Sequence, residues 1–487
     1  MLLKAFFHAN NKTFGIKILP MDQSKKIIVI GGGPAGLTAA YDSAKRNIET
    51  ICFEADNMVG GISRTVERNG FRFDIGGHRF FSKIQKVNNL WDEVLGEDFL
   101  LRPRLSRIFY NGSFFNYPLQ ASNALFGLGI FNSMVIGCSY LKSRLFPILP
   151  EDNFEQWVSN RFGFKLYDTF FKTYTEKVWG IDCRQIRAEW AAQRIKGLSL
   201  WSAVLNALFN KRTSIKTLID EFHYPRLGPG QMYETMADKA VALGATLKLN
   251  HHVKRLHHQD GRILSAVVNS SDSEICEKGT HFISTMPITQ LITSLRPAPP
   301  ANVLDAAKAL RYRALLTINL MIDEPQQLPD TWIYVHDPNV KMGRIQCFAN
   351  WSPHMVPDNK SSLGLEYFCW EGDEIWTMAD KDLIELGKKE IQRLGLIDTS
   401  KIFDGFVVRM PKCYPVYDED YAGHIETIKN YLNEFKNLQL CGRYGLFKYN
   451  NMDHSILTAL YAVGNVIGEN HNVWAVNADD EYHEEHS

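Results

Sequence analysis

The chain has 487 residues, 45% of them apolar and 22% charged, with Lys plus Arg equal to Asp plus Glu at 54 each. That length buries a large core and divides into two or three domains. The charge balance excludes the broad basic field that nucleic acid requires, so any anion must be held by a local site. The eight cysteines lie far apart without a CxxC pair, and the pairs His251/His252 and His257/His258 occupy a polar, turn-like stretch without HExxH. Reduced thiols, a cytoplasmic setting and no metal are therefore expected.

In chain order, Asn10, Asn11 and Lys12 interrupt the early apolar patches, so no signal-peptide core forms, and Met21, just ahead of the first strand, stands beside Met1 as an alternative start. KKIIVIGGGPAGLTAAYDSAKRN then predicts a strand over 27–30, a turn Gly31-x-Gly33-x-x-Gly36, and a helix to about residue 45. A second strand, TICFE, ends in Glu54. Gly31 permits the tight turn, Gly33 lets backbone approach a pyrophosphate, and Gly36 lets helix pack on strand; Pro34 and Ala35 complete this cofactor-binding turn. Glu54 can accept hydrogen bonds from ribose hydroxyls.

The next segment, ADNMVGGISRTVERNGFRFDIGGHRFF, carries a second glycine pair, Gly60 and Gly61, and Arg64, which can meet a phosphate or a ring carbonyl. A strand, FRFDIGG, leads to His78, a candidate site group whose plainer reading is a hydrogen-bonded core histidine. The longest apolar region, 124–141, is broken by Asn132 and Ser133 and is too short to span a bilayer. It predicts a buried helix, with a membrane-apposed one as the alternative.

Residues 166–194, LYDTFFKTYTEKVWGIDCRQIRAEWAAQR, concentrate aromatics at i, i+1 and i+4, a spacing that also describes an ordinary helical core. ALLTINLMI, TWIYVH and RIQCFAN predict strands. Near the end, LQLCG predicts a strand over 438–441 and HSILTALYAVGNVIGE a helix capped by Asp453. Between them, GRYGLFKYNNMDHS places Gly442 and Arg443 where a strand-to-helix crossing can touch a cofactor. The last residues, ADDEYHEEHS, read as an acidic disordered tail.

Several of these motifs resemble known families. The glycine pair and Arg64 after Glu54 resemble the element that follows the ribose-binding acid in FAD proteins of the amine oxidase type, which implies FAD. GRYGLFKYNNMDHS resembles the flavin-binding element of UDP-galactopyranose mutases, and also that of protoporphyrinogen oxidase-like proteins. The segment 166–194 resembles the mutase FFxxYTxKQWG followed by an arginine, and VKMGRI resembles the mutase YTRI element. The matches keep their order from about Lys25 to Asn470.

On that resemblance Phe170, Tyr174 and Asn450 contact substrate, Trp179 is the active-site tryptophan, Arg194 and Arg344 grip a diphosphate, and Tyr449 supports it. Gly442, Arg443, Asn451 and Met452 line the cofactor, and His78 passes near the flavin. The chain departs from the pattern where bacterial mutases carry GPHxFHT and this sequence has GGHRFFSK, and where Asn451 replaces an aspartate.

The implied architecture is α/β. A discontinuous Rossmann-like FAD-binding domain is assembled from 22–110, 222–295 and 400–487, with a helical insertion over 111–221 and an antiparallel-sheet substrate domain over 296–399. The implied activity is pyranose/furanose interconversion of a UDP-sugar-like substrate through a reduced-flavin N5 adduct. The rival class is an FAD-dependent oxidoreductase, such as a protoporphyrinogen oxidase or amine oxidase-like dehydrogenase. The partners implied are the nucleotide sugar, glycan-assembly machinery at a membrane periphery, and a second copy of the chain as a homodimer.

Overall fold

The computed structural model describes residues 22–117, 123, 127–188, 221–270 and 273–477, with side chains from residue 25 onward. Arg194 and the tail 478–487 lie outside the described residues.

Five parallel strands form the sheet that carries the first motif. Asp22–Ile30 is central, flanked on one side by Ile48–Phe53 and Thr246–Lys248 and on the other by His281–Ser284 and Leu438–Leu440. Such a sheet must be covered on both faces, which explains why Ile27, Ile28, Val29 and Ile30 form an unbroken apolar run. On one face the helix Pro34–Lys45 sets Ala39 and Ala40 against Ala459, Ala462 and Val463 of the helix Met452–Val466. Because its strands come from four distant parts of the sequence, this layer closes only when the whole chain folds.

A second sheet has seven strands, ordered Ile402–Pro415, Tyr312–Ile322, Ser361–Cys369, Arg344–Cys347, Trp332–Val335, Ser106–Tyr110 and Ser113–Asn116. Tyr312–Ile322 and Ser361–Cys369 are buried along their full length. Each large aliphatic there, such as Leu316 or Leu365, contributes about 1.5–3 kcal/mol over leaving it exposed. The sheet is mixed rather than antiparallel, because Trp332–Val335 pairs in parallel with Ser106–Tyr110. Ile402–Pro415 runs along Tyr312–Ile322, so the segment 400–415 and the strands near residue 110 are structurally part of this sheet. RIQCFAN is a strand only to Cys347, and Phe348–Trp351 turns helical.

Short helices cover the sheet's Ser106–Asn116 end: Phe154–Phe162, a π-helical turn over Tyr167–Lys172, and Thr173–Trp179. Asn153 caps the first with a full capping box to Gln156. The apolar region expected to be buried is a helix over Ile130–Leu145, and it is not buried: Ile136 is its one buried residue. It has too few inward neighbours because it packs on this outer layer and not between the two sheets. Among the described residues no helix is long and apolar enough to cross a membrane.

Candidate functional site

The first glycine turn is shaped by contacts that admit no side chain. A Cβ on Gly36 would lie 1.7 Å from the Gly31 carbonyl oxygen, and Gly31 itself holds φ at 102°. Pro34 takes the first turn of the following helix, where its missing N–H costs nothing, while Gly33 caps the helix without a side-chain acceptor. Gly31 N–H donates to the Phe53 carbonyl at 2.8 Å and Gly32 N–H to Glu54, so the N–H groups at the helix start, Ala35 included, are those that can meet an anion in front of the positive helix end.

The second glycine pair closes over the first. Gly60 N–H donates to the Gly32 carbonyl at 2.9 Å, and a Cβ on Gly61 would come 3.3 Å from Gly33 Cα. Glu54 accepts from Gly32 N–H at 2.5 Å and from Asp56 N–H at 2.8 Å. Burial raises its pKa and these two donors partly restore the charged form, leaving carboxylate lone pairs for ribose hydroxyls.

Arg64 pairs with Asp56 and reaches Met410 Sδ at 3.5 Å, while its Nε is buried with no partner among the described residues. A buried donor left unmatched marks a place where a ligand acceptor belongs. Gly442 brings the C-terminal crossing into the same cradle: its φ is 81°, a Cβ there would lie 3.0 Å from Ala35 Cβ, and its N–H donates to Thr458 Oγ1 at 3.0 Å. These residues fit a dinucleotide with its pyrophosphate on the helix end.

The crossing itself is braced from inside. Arg443 donates to the Asn450 carbonyl at 2.9 Å and the Cys413 carbonyl at 3.1 Å, and lies over the Tyr449 and Tyr414 rings. Asn450 is fully buried, accepts from Asn477 at 3.1 Å, and so holds the turn together instead of facing a pocket. Asn451, not Asp453, caps the helix that follows, which begins at Met452. The Asn451 amide accepts from the third helical N–H, the geometry its short polar side chain favours. Met452 is buried in the core beside Leu37 and Tyr41. Asp453 is buried instead, and that burial raises its pKa.

Next to the cradle lies a second group of side chains. Arg344 Nε donates to Glu366 Oε2 at 2.8 Å, its Nη2 lies 2.5 Å from the same oxygen, and Nη2 also reaches the Tyr414 hydroxyl at 3.2 Å. Burial is the largest influence and opposes the Arg344 charge, but the fully buried Glu366 together with Tyr174, Tyr414 and Tyr449 outweighs it, raising the pKa. Gln346 donates to Glu366 Oε1 at 2.6 Å while its own Oε1 is buried without a partner among the described residues. Tyr414 stacks on Tyr449 at 5.6 Å and 18°, and Trp179 stands 6.5 Å from Tyr449.

The segment ending in His78 joins the two groups. A Cβ on Gly76 would lie 3.5 Å from Glu366 Oε1, and one on Gly77 3.0 Å from Gln346 Nε2. His78 Nδ1 sits 3.3 Å from the Gly76 carbonyl, and burial together with the charges of Arg443 and Arg344 pushes its pKa down to about 3. A neutral imidazole beside two guanidinium groups can shape the site without adding positive charge.

Trp179 is fixed by the end of its helix. Arg313 donates to the Val178 carbonyl at 3.2 Å, the Lys177 carbonyl at 3.2 Å and the Phe368 carbonyl at 2.8 Å, a cation satisfying a helix C-terminus. Tyr174 stacks on His336 at 4.8 Å and 11° and meets Tyr334 edge-on. Phe170, by contrast, is packed in the core against Phe115 and Tyr110.

The structure therefore brings together Arg344, Tyr449, Trp179, His78 and Arg443, with Tyr174 at the edge. It withdraws Phe170, Asn450 and Met452 into packing. Sequence reasoning missed Glu366, Gln346 and Tyr414. Glu366 in GLEYFC is a lone acid inside a continuous apolar strand, and that was the available signal.

A family model described as flavin containing amine oxidoreductase matches residues 159–467, and one described as NAD(P)-binding Rossmann-like domain matches residues 29–94. Protoporphyrinogen oxidase 2 of Arabidopsis thaliana is 37% identical over 70 residues, 14% of this chain and 14% of that one, so the shared stretch is short. The 15-cis-phytoene desaturase of the same plant is 22% identical over 423 residues, 80% of this chain and 70% of that one. Among solved structures, a reduced UDP-galactopyranose mutase superposes with a TM-score of 0.81 at 22% identity, over 94% of this chain and 98% of that one. At that identity the likeness is one of fold.

Proposed function

Because the chain belongs to the flavin-containing amine oxidoreductase family, whose model spans residues 159–467, we propose that it is an FAD-dependent mutase. Its substrate would be a nucleoside-diphosphate sugar, whose ring it interconverts between pyranose and furanose forms. The observation that carries the reading is the Arg344, Tyr414, Tyr449 and Trp179 group lying against the cofactor cradle. Glu366 already pairs with Arg344 through Nε and Nη2, which leaves Nη1 as the donor that a substrate phosphate would meet.

In this reading Gly31, Gly33 and Ala35 hold the FAD pyrophosphate, Glu54 the ribose, and Arg64 a cofactor acceptor through its Nε. Bound in reduced form, the flavin supplies a nucleophilic ring nitrogen for the anomeric carbon. Arg344 stabilises the departing diphosphate, and the Tyr449 and Tyr414 hydroxyls share the developing charge. Trp179 and Tyr174 offer ring faces to sugar and base. Arg194, outside the described residues, is the proposed second diphosphate arginine. The bond from the anomeric carbon to diphosphate breaks and re-forms after the ring recloses, so no net electron leaves the site.

The test is to reduce the purified protein with dithionite, incubate it with a panel of nucleotide sugars, and follow ring interconversion. Turnover without an acceptor, confined to the reduced protein, supports the mutase. The similarity to a phytoene desaturase across 80% of the chain favours a second reading, an FAD-dependent oxidoreductase. Steady consumption of oxygen or quinone coupled to substrate loss would establish that reading and exclude the first.

A further inference from the structure

The helix Ile130–Leu145 presents an apolar side to solvent. Phe131, Met134, Val135, Leu141 and Leu145 recur at helical spacing on one face, and Phe131 and Leu145 are 75% and 72% exposed. The chain beyond it continues the patch with exposed Phe146, Ile148 and Leu149. Its opposite side is anchored: Ile136 is buried in the helical layer, Ser139 Oγ accepts from Lys165 N–H at 3.0 Å, and a Cβ on Gly163 would meet Tyr140 N at 2.7 Å. A contiguous exposed patch of this kind marks an interaction surface.

Charge selects the partner. Between residues 124 and 150 the sequence holds Lys142 and Arg144 and neither Asp nor Glu. Both cations lie in the last helical turn. Two copies of an acid-free face have no anion to offer each other's cations, whereas an anionic lipid surface supplies headgroup charge and acyl chains together. Sixteen residues make about 24 Å of helix, shorter than a span, so the element would lie in the interface plane.

We propose that the Ile130–Leu145 helix and the apolar residues 146–149 dock this protein on an anionic lipid bilayer. The inference stands whether or not the substrate is a nucleotide sugar.

Flotation of the flavin-loaded full chain with vesicles tests it. Binding is expected to vesicles of phosphatidylcholine containing phosphatidylglycerol, and to be at least about tenfold weaker to pure phosphatidylcholine. Replacing Phe131 and Leu145 together by Ser should weaken binding at least about tenfold while flavin content and melting temperature stay unchanged. Lys142→Gln and Arg144→Gln should each cost about fivefold. The Phe131→Trp variant should show blue-shifted emission quenched by brominated lipid. Failure of the parent chain to float, or serine variants that float like it, would overturn the proposal. So would a lipid-independent dimer abolished by the same serine substitutions, which assigns the face to a second copy. Emission from the Phe131→Trp variant that neither shifts nor is quenched on vesicles would overturn it equally, because the face would then lie away from the lipid.

Discussion

The cofactor cradle and the pocket beside it are built from different materials. Gly31, Gly36, Gly61 and Gly442 shape the cradle mainly with backbone, at positions where an added side chain would clash or strain the chain. The pocket is made of side chains that hold one another: Glu366 grips Arg344 and Gln346, Arg344 reaches Tyr414, and Tyr414 stacks on Tyr449. A backbone cradle is intolerant of added atoms. A side-chain pocket is sensitive to lost charge and tolerant of modest changes in shape.

The largest effect should follow from Gly36→Ala, which drives a methyl into the Gly31 carbonyl. A loss of more than about 4 kcal/mol is expected, with flavin absorbance per chain falling towards zero. Retained flavin at normal stability would mean that the cradle is not set by sterics.

Arg344→Ala ranks next. It leaves the Glu366 carboxylate buried and unpaired, costing about 3 kcal/mol in denaturant unfolding. UDP affinity by calorimetry should fall about tenfold to a hundredfold. Flavin content should hold, because no cradle contact involves Arg344; its loss would merge the two regions into one. Lysine should rescue partly, since it keeps the charge without the planar fork.

A smaller effect concerns pH. His336, buried under Tyr174, has its pKa pushed down to about 3 by burial and by the nearby Lys177 charge, below the ordinary 6.5. The unfolded chain therefore binds a proton that the native state refuses between those values. Stability should fall as pH drops below about 6.5, by up to about 1.4 kcal/mol per pH unit for this group, and be insensitive to it above. His336→Gln should flatten that slope by about one proton in urea titrations at several pH values. An unchanged slope would mean the imidazole is charged in place.

The smallest expected change is from Asn451→Ala, which removes the cap of the helix Met452–Val466 for about 1 kcal/mol, read as a lowered melting temperature. A larger drop accompanied by flavin loss would give Asn451 a direct place at the cofactor.

Sequence alone determined the cradle. Strand, glycine turn, helix and terminal acid are neighbours within residues 27–54, and their requirements are steric and local, so type and spacing suffice. The strands around 314–347 and 438–440 were legible for the same reason, through short runs dominated by apolar residues. Tertiary structure decided the rest. Phe170 and Tyr174 sit four residues apart with equal claims as ring donors, and only packing sends one to the core and leaves the other against His336 and Tyr334. Asp453 and Asn451 are both good caps, and the choice fell to the residue whose φ and ψ left the helix first. The helix Ile130–Leu145 reads as core by composition, yet burial depends on what lies opposite, and the chain placed it on an outer layer. Glu366 and Arg344 are 22 residues apart and become partners only because adjacent antiparallel strands set them in register, a pairing fixed by long-range contacts that no local pattern encodes.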